Sequence, residues 1–442
     1  MMRISAAIIA CCLATPALAE EKPGLDVSAA VRLRYETIAG QARAGLPPNE
    51  DLINLRTIIR TRYRSGPVSL TFDVWDSRVF DAGRPSAVSN NEVNGLEPMQ
   101  ANAAIDFGSK GGISGRATIG RMVFELGSAR LIANDDYRNT TSGFTGLKVD
   151  LKGPSRLSGT LLYVLPQQRL PDDADGLRQG AIRLDREGFD SRLWGGQIGQ
   201  ARAIGPIDVE ATMLRFEERD RPDRATRDRQ LTNLGARLTI APKPARWDLD
   251  VEAIWQTGST RTGLGATAAI VPVSAWFTHA EAGFSVASGW KPHLSAEFDY
   301  ASGDDRNQSF GRFDTLFGMR RRDFSPAGLL SAIGRSNMIA LGGRIEVKPS
   351  SRTDGFLSVR KMWLASATDA FSTTGVVDPT GRSGRDAGWE IDSRVRYWLV
   401  PGKLQFEGDV VWIPKGRFLQ TAPNRSSTAD TRYLSLNLTV LL

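Results

Sequence analysis

The twelve residues 53–64, INLRTIIRTRYR, indicate the fold class of this sequence. Four of them are arginines, at positions 56, 60, 62 and 64. On a helix these side chains would scatter around the axis. On a β-strand all four point the same way, because side chains alternate with a period of two. The opposite face then carries Leu55, Thr57, Ile59, Thr61 and Tyr63. The stretch is therefore predicted to be a strand with one apolar and one cationic face, interrupted only by Ile58 on the cationic side.

Residues 1–19 have the features of a cleaved signal peptide. Arg3 precedes the apolar run ISAAIIACCLA, and Ala17-Leu18-Ala19 forms a small-x-small cleavage site before Glu20. A lipoprotein signal, with Cys11 or Cys12 acylated, is the alternative, although the apolar run before it would be very short. Both cysteines of the chain lie in this segment, so the mature chain, residues 20–442, is expected to contain none.

Composition narrows the class of protein further. The formal net charge of +7 falls to +6 once Arg3 is removed, which is compatible with an anionic ligand and does not demand one. Beyond residue 19 no apolar run approaches twenty residues, so no transmembrane helix is expected. The mean hydropathy of −0.25 resembles that of a soluble protein. A transmembrane β-barrel gives the same value, because its apolar side chains occupy only alternate positions.

Alternating segments recur along the whole chain, and their connections alternate in length. Tight turns at 65–66, 109–112, 153–156, 241–245, 287–291, 349–352 and 400–402 are separated by long polar loops at 78–98, 122–142, 166–189, 257–274, 302–336, 365–387 and 414–430. Short turns on one side and long loops on the other are typical of an outer-membrane barrel. The predicted fold is all-β, an antiparallel transmembrane barrel of about 18 strands with short periplasmic turns and long extracellular loops. The predicted strands are 25–37, 52–64, 67–77, 99–108, 113–121, 143–152, 157–165, 190–200, 205–216, 230–240, 246–256, 275–287, 292–301, 337–348, 354–364, 388–399, 403–413 and 431–442.

Several strands show which face is turned to lipid. In WDLDVEAIWQ, residues 247–256, apolar residues alternate with Asp248, Asp250 and Glu252. In HLSAEFDY, residues 293–300, Glu297 and Asp299 alternate with apolar residues in the same way. A polar interior predicts a wide, water-filled lumen. The final segment YLSLNLTVLL alternates cleanly and is similar to the assembly signal of bacterial outer-membrane barrels, although Leu442 replaces the usual Phe.

Longer motifs resemble the alginate export family of outer-membrane porins. They are NEVNGLEPMQANAAIDFG (91–108), GRMVFELGSARLIANDDYRNT (120–140), SGDDRNQSFGRFDTLFGMRRRDF (302–324), EVKPSSRTDGFLSVRKMWLASATDAF (346–371) and GRSGRDAGWEIDSRVRYWLVPGKLQFEGDVVW (381–412). The resemblance implies a monomeric eighteen-stranded barrel whose electropositive pore passes an anionic polysaccharide. It also implies that the loop 122–142 folds inward and constricts the pore.

Guanidinium groups suit such a pore, because they bind carboxylates bidentately and stay charged at physiological pH. A row of weak sites lets a polyanion pass from one to the next. For each arginine the alternative is an ordinary ion pair across the lumen, and the acidic residues at 248–252 and 297–299 predict an acidic wall opposite a basic one. The candidate pore residues are Arg32, Arg34, Arg56, Arg60, Arg62, Arg64, Arg116, Arg394 and Arg396 on strands, with Arg130 and Arg138 beside Asp135 and Asp136 in the loop.

Three functions remain open. The first is passive transport of an anionic polysaccharide or oligosaccharide, the second a less selective diffusion porin, and the third a barrel enzyme with a Ser-His pair. His279 and His293 are the only histidines, and no motif supplies them with an acidic partner or a nucleophile, which disfavours catalysis. Two histidines without a mature cysteine also argue against a transition-metal site, and no cofactor is expected.

The expected partners follow from the barrel. They are outer-membrane lipid, lipopolysaccharide, an anionic polysaccharide and periplasmic export or uptake components, without nucleic acid. The charged runs ERDRPDRATRDR (218–229) and MRRRDF (319–324) are expected to be solvated extracellular loops that contact lipopolysaccharide or calcium.

Overall fold

The structure, a computed structural model, describes residues 24–109, 111–305 and 309–442. The predicted signal peptide lies outside the described residues. Neither helix of the described part, α1 (Ala174–Gln179) or α2 (Arg417–Thr421), is long and apolar enough to cross a membrane. The strands are β1 (Gly24–Ala39), β2 (Asn49–Ser65), β3 (Val68–Phe80), β4 (Asn94–Gly108), β5 (Ser114–Met122), β6 (Phe144–Lys152), β7 (Leu157–Pro166), β8 (Ser191–Ile204), β9 (Ile207–Glu218), β10 (Gln230–Ile240), β11 (Arg246–Arg261), β12 (Ile270–Ser285), β13 (His293–Ala301), β14 (Met338–Val347), β15 (Thr353–Trp363), β16 (Asp386–Val400), β17 (Leu404–Ile413) and β18 (Thr431–Leu441).

These strands form one closed antiparallel barrel. Each strand pairs with the next along the chain, and β1 pairs with β18 from Ala30↔Leu441 to Ala39↔Arg432. The backbone groups of Ala29 and Leu442 continue this seam with hydrogen bonds of 3.0 and 2.8 Å. Closure leaves no sheet edge with unpaired amide groups, as a hydrocarbon environment requires. The prediction of an eighteen-stranded antiparallel barrel is confirmed.

The prediction of a long loop at 257–274 is wrong. β11 continues to Arg261 and β12 starts at Ile270, which leaves only residues 262–269 as the connection. The extension is a continuous ladder from Gln256↔Ala275 to Arg261↔Ile270. Its residues, TGSTR on one side and IVPVS on the other, lack alternating hydrophobicity, so the period-two signal stops before the pairing does.

The two faces of the barrel follow the predicted alternation. On β1, Leu33 and Tyr35 are exposed on the outer face, whereas Arg32 and Arg34 are buried on the inner face. On β11, Trp247 is exposed and its neighbour Asp248 is buried. The outward apolar side chains form the surface that contacts lipid. The buried apolar residues lie instead at the long-loop end of the barrel, where loop side chains such as Leu131, Phe313, Phe324 and Phe371 pack together with inward-facing strand residues.

A pair of substitutions on β5 tests the assignment of faces. Ile119 is 62% exposed on the outer face, and its neighbour Thr118 lines a cavity inside the barrel. We expect Ile119→Arg to lower the free energy of unfolding from lipid vesicles by about 2–4 kcal/mol, the cost of an arginine near the bilayer midplane. Thr118→Arg is the matched control and should cost clearly less, because lumen water solvates the new charge. Equal losses for the two variants, measured by urea titration, would contradict the assignment.

Candidate functional site

The 123–143 loop, which connects β5 and β6, folds into the barrel and lies against β1 and β2. The Arg32 guanidinium donates hydrogen bonds to the carbonyl oxygens of Asp136 at 2.8 Å and Arg138 at 2.7 Å. Arg34 donates to the carbonyl oxygen of Tyr137 at 2.5 Å, and its guanidinium lies 4.0 Å from the centre of the Tyr137 ring. These contacts place the loop inside the lumen, as the family resemblance implied.

Arg56 on β2 is the third anchor of the same loop. It donates to the carbonyl oxygen of Asp136 at 2.9 Å and to the Asp136 carboxylate at 2.8 Å. On the far side of the loop, the Tyr137 hydroxyl forms hydrogen bonds of 2.8 Å with Tyr433 and Ser435 of β18. Arg32, Arg34 and Arg56 are at most 7% exposed. They do face the lumen, but their guanidinium groups position the loop and are covered by it, so they do not line an open pore wall.

The Asp136 carboxylate remains open to the lumen, with its side chain 78% exposed. The Arg56 guanidinium, with help from Arg32, lowers the pKa of Asp136 to about 2. The carboxylate therefore stays charged over the whole physiological range.

A second inward loop, the 302–337 loop, is described at residues 302–305 and 309–337 and meets the first one through Arg130. Arg130 is 1% exposed and donates to Glu252 on β11 at 2.7 Å and to Asp323 of the second loop at 2.9 Å. Asp323 also accepts from Arg335 of its own loop. Burial alone would raise the pKa of Asp323, but the charges of Arg130 and Arg335 hold it well below its usual range. Arg130, predicted to face the pore, is thus the ionic link between the two loops and the barrel wall.

The expectation that residues 319–324 form a solvated extracellular loop is wrong. Arg321 of this segment is buried in the lumen, where it forms ion pairs with Asp392 on β16, at 2.6 Å, and with Asp409 on β17. Its guanidinium also lies 5.0 Å from the centre of the Phe356 ring. Buried charges need partners, and these two carboxylates supply them.

Most of the other predicted pore arginines form lumen ion pairs. Arg60 pairs with Asp73 at 2.8 Å, and Arg116 pairs with Asp106 at 2.9 Å. Arg394 and Arg396 share Asp354, at 3.5 and 2.8 Å. In the 123–143 loop, Arg138 pairs with Asp135 at 3.1 Å and donates to the Asn91 side chain at 3.0 Å.

A cationic cavity of about 340 Å³ lies beneath the 123–143 loop. Within the described parts of the chain, the Arg62 guanidinium makes no hydrogen bond or ion pair. The directly paired positions Arg62↔Thr71 and Arg64↔Ser69 put β2 and β3 side chains on the same wall of this cavity. The basic residues that line it are Arg62, Arg64, Arg116 and Lys148.

The acidic wall lies across the barrel from this cavity. The predicted residues Asp248, Asp250, Glu252, Glu297 and Asp299 are all on the inner face of β11 and β13. In a closed ring of eighteen strands, β11 is nine positions from β2. The expected separation into one basic and one acidic wall is nevertheless incomplete, because Glu36, Glu390, Asp392 and Asp409 are buried on the basic side.

Both histidines have acidic partners that no sequence motif indicated. His279 Nδ1 lies 2.8 Å from Asp299, and His293 Nε2 lies 3.0 Å from Asp248. Sequence reasoning also missed Arg321, Asp323, Arg335 and Arg360, which complete the buried ion-pair network. The available signal was the run MRRRDF together with the alternation of β16, which puts Asp392 on the same face as the predicted pore residues Arg394 and Arg396.

Removing one anchor should loosen the 123–143 loop. We expect Arg56→Ala to raise the mean single-channel conductance and the current noise, because hydrogen bonds to charged groups contribute about 1.5–3 kcal/mol each and Arg56 makes several. Arg60→Ala is the matched control, since Arg60 pairs with Asp73 within the wall. The anchoring role is refuted if both variants conduct like the native protein.

Acid should weaken the same contact. The pKa of Asp136 lies near 2 in the folded protein and near 3.8 ordinarily, so its charge stabilises the fold above about pH 4 and loses this effect as the pH falls toward 2. We therefore expect the difference in Tm between the native protein and Asp136→Asn to be present at pH 7 and to vanish near pH 2. A difference that does not change with pH would show that the carboxylate charge has no part in holding the loop.

The comparisons with known proteins agree with this architecture. Solved structures with the same fold include the outer membrane protein opdK from Pseudomonas aeruginosa, at 11% identity, a TM-score of 0.57, and coverage of 94% of this chain and 99% of that one. A BenF-like porin from Pseudomonas fluorescens Pf-5 gives 11% identity, a TM-score of 0.59, and coverage of 94% and 98%. The structure of OpdK of P. aeruginosa with vanillate has 12% sequence identity and a TM-score of 0.56, and the match covers 94% of this chain and 98% of that one. No curated protein matches the sequence.

The family comparison is more direct. Residues 24–431 match the profile of the alginate export family. This matched range includes nearly all of the barrel, from β1 to the start of β18. Together with the closed barrel, its charged lumen and its apolar outer belt, this match places the protein in the bacterial outer membrane as a channel. The chain belongs to the alginate export family of outer-membrane β-barrel proteins.

Proposed function

We propose that this channel passes carboxylate-bearing oligosaccharides or polysaccharides, of the alginate type, by passive diffusion. The observation that carries the proposal is the cationic cavity beneath the 123–143 loop. Arg62 projects into it without a carboxylate partner in the described part of the chain, and Arg64, Arg116 and Lys148 line the same space. A uronate carboxylate would pair with such a guanidinium bidentately.

A second cationic cavity supports transport from site to site. It has a volume of about 230 Å³ and lies near the long-loop end, lined by Arg227, Arg229, Arg312 and Phe310. Arg229 and Arg312 have carboxylate partners, at 2.6 Å to Asp314 and 2.8 Å to Asp369. Arg227 lies 6.0 Å from the Phe310 ring centre and has no ion pair in the residues that the structure describes.

The inward loops occupy part of the lumen and so limit what kind of chain can pass. The arginines that line the two cavities offer a polyanion successive sites, and sites of moderate strength are the condition for conduction without trapping. The contacts that fix the loops occupy three buried arginines: Arg34 binds the Tyr137 carbonyl group, and Arg130 and Arg321 form ion pairs. The arginines of the two cavities remain to exchange ligands. A narrow path favours one extended sugar chain at a time.

A diffusion channel for small organic anions is the second candidate. It is favoured by the same narrowing, since two loops occupy the lumen at the long-loop end. One structure of the same fold was solved with vanillate, a small aromatic carboxylate. Both candidates require anion preference, and they differ in whether a polymer enters the pore.

Planar-bilayer recordings test the proposal. We expect the native protein to prefer anions and to be blocked by oligouronates added on one side. Arg62→Glu should weaken this block about 10–100-fold, the equivalent of losing about 1.5–3 kcal/mol of charge-assisted hydrogen bonding. The matched control is Arg352→Glu, which makes the same charge change at an exposed position in the turn before β15 and should leave the block unchanged.

The alternatives give different results in the same recordings. Block by vanillate or a single uronate, without block by oligomers, would favour the channel for small anions. Cation preference of the native protein would reject both candidates. An equal effect of Arg62→Glu and Arg352→Glu would show that the overall charge matters and that the cavity does not.

A further inference from the structure

Asp248, Glu281 and His293 come together on the acidic wall, close to the short-turn end of the barrel. Three neighbouring strands, β11, β12 and β13, contribute one residue each. One ligand-type atom from each side chain lies within 4.8 Å of the others. His293 Nε2 is 3.0 Å from both carboxylate oxygens of Asp248.

The charge balance of this group sets it apart from its surroundings. Four other carboxylates on the same wall have arginine partners: Asp250 has Arg237 and Arg130, Glu252 has Arg130, Glu297 has Arg360, and Glu210 has Arg237. A fifth, Asp299, pairs with His279 at 2.8 Å. Among the described residues, Asp248 and Glu281 pair with histidines only and with no lysine or arginine. Two carboxylates here therefore lack a full positive charge.

His279 directs an unused ligand atom toward the same group. Its side chain is 1% exposed, and Nδ1 is held by Asp299 at 2.8 Å. Its Nε2 has no hydrogen-bond partner within the described chain and lies 3.9 Å from Glu281 Oε2, too far for a hydrogen bond. This buried Asp-His pair therefore lies beside Glu281 with one imidazole nitrogen still free for a ligand among the described residues.

Gly283 provides the space that the group occupies. It is paired with Asp248 across β11 and β12, and a Cβ atom at this position would lie 2.4 Å from both Asp248 Oδ1 and His293 Nε2. Any other residue would push the two ligand atoms away. The strand therefore carries glycine where the carboxylate and the imidazole converge.

A neighbouring group, His279, Asp299 and Asp323, also brings three ligand atoms within 4.8 Å. It is a poorer cation site, because Arg130 and Arg335 already bind Asp323 at 2.9 and 3.1 Å. Two guanidinium groups at this distance repel a further cation.

We propose that Asp248, Glu281 and His293 bind a divalent transition-metal ion such as Zn²⁺. Imidazole nitrogen and carboxylate oxygen atoms are both zinc ligands, and a site with three protein ligands leaves a fourth position for water. The Glu281 side chain is 26% exposed, which gives the ion access from the lumen. The sequence argument against a transition-metal site counted histidines and cysteines but no carboxylates, whereas the barrel joins His293 to a carboxylate 45 residues away. A bound ion would neutralise the two carboxylates that no arginine neutralises and make the acidic wall less repellent to anions.

Calorimetric titration of the purified, chelator-treated barrel with Zn²⁺ tests this site. We expect one ion per chain. His293→Gln should weaken binding at least about tenfold, and Gly283→Ala should weaken it at least as much. Glu210→Gln is the control for lost wall charge. Gly235→Ala is the control for an added methyl group on the inner face, because its nearest neighbours lie at 3.6 Å.

Each control answers a different objection. Folding of every variant is verified by the shift in electrophoretic mobility on heating, so a lost site is distinguished from a lost barrel. The proposal fails if the native protein binds no Zn²⁺, or if Glu210→Gln weakens binding as much as His293→Gln. It also fails if Ca²⁺ binds as tightly as Zn²⁺ and His293→Gln has no effect, since the wall would then attract cations only through its diffuse charge.

Discussion

The pairing of β1 with β18 is the interaction on which the rest of the structure depends. It removes the last free edge of the sheet, so the closed barrel can stand in hydrocarbon. Closure also encloses one face of every strand. Because that face carries arginines and carboxylates, the closed barrel must provide each buried charge with a partner or with water.

The inward loops supply many of these partners. Carbonyl groups of the 123–143 loop accept hydrogen bonds from Arg32, Arg34 and Arg56, and Arg321 of the 302–337 loop bridges two wall carboxylates. The same contacts that compensate the buried charge also fix the constriction. The charges that the loops leave unpaired are functionally more informative. Among the residues that the structure describes, Arg62 and Arg227 have no anionic partner, and Asp248 and Glu281 have no arginine partner. The proposed solute and metal sites use these remaining charges.

The extent of prediction from sequence follows from the range of the interactions. Alternation with a period of two is local, so the strand number, the faces, and the lumen position of Arg56 and Asp250 were predicted correctly. The partners were not, because Arg32 meets Arg138 across 106 positions and Arg130 meets Asp323 across 193. A run such as MRRRDF has the same composition in a solvated loop as in a buried one. The two cases differ in whether carboxylates of the barrel wall lie close enough to pair with its arginines. The acidic partners of the histidines were missed for the same reason.

The central claim is that the 123–143 loop narrows the channel and changes the charge that its wall presents, by covering Arg32, Arg34 and Arg56. Met122 and Phe144 are directly paired, so a two-residue Asn-Gly turn can replace the whole loop without altering β5 or β6. The most direct test is the single-channel conductance and reversal potential of this variant. The account predicts a several-fold higher conductance and a stronger preference for anions, because Arg32, Arg34 and Arg56 would then face open water. A folded variant with native conductance and native selectivity would contradict it.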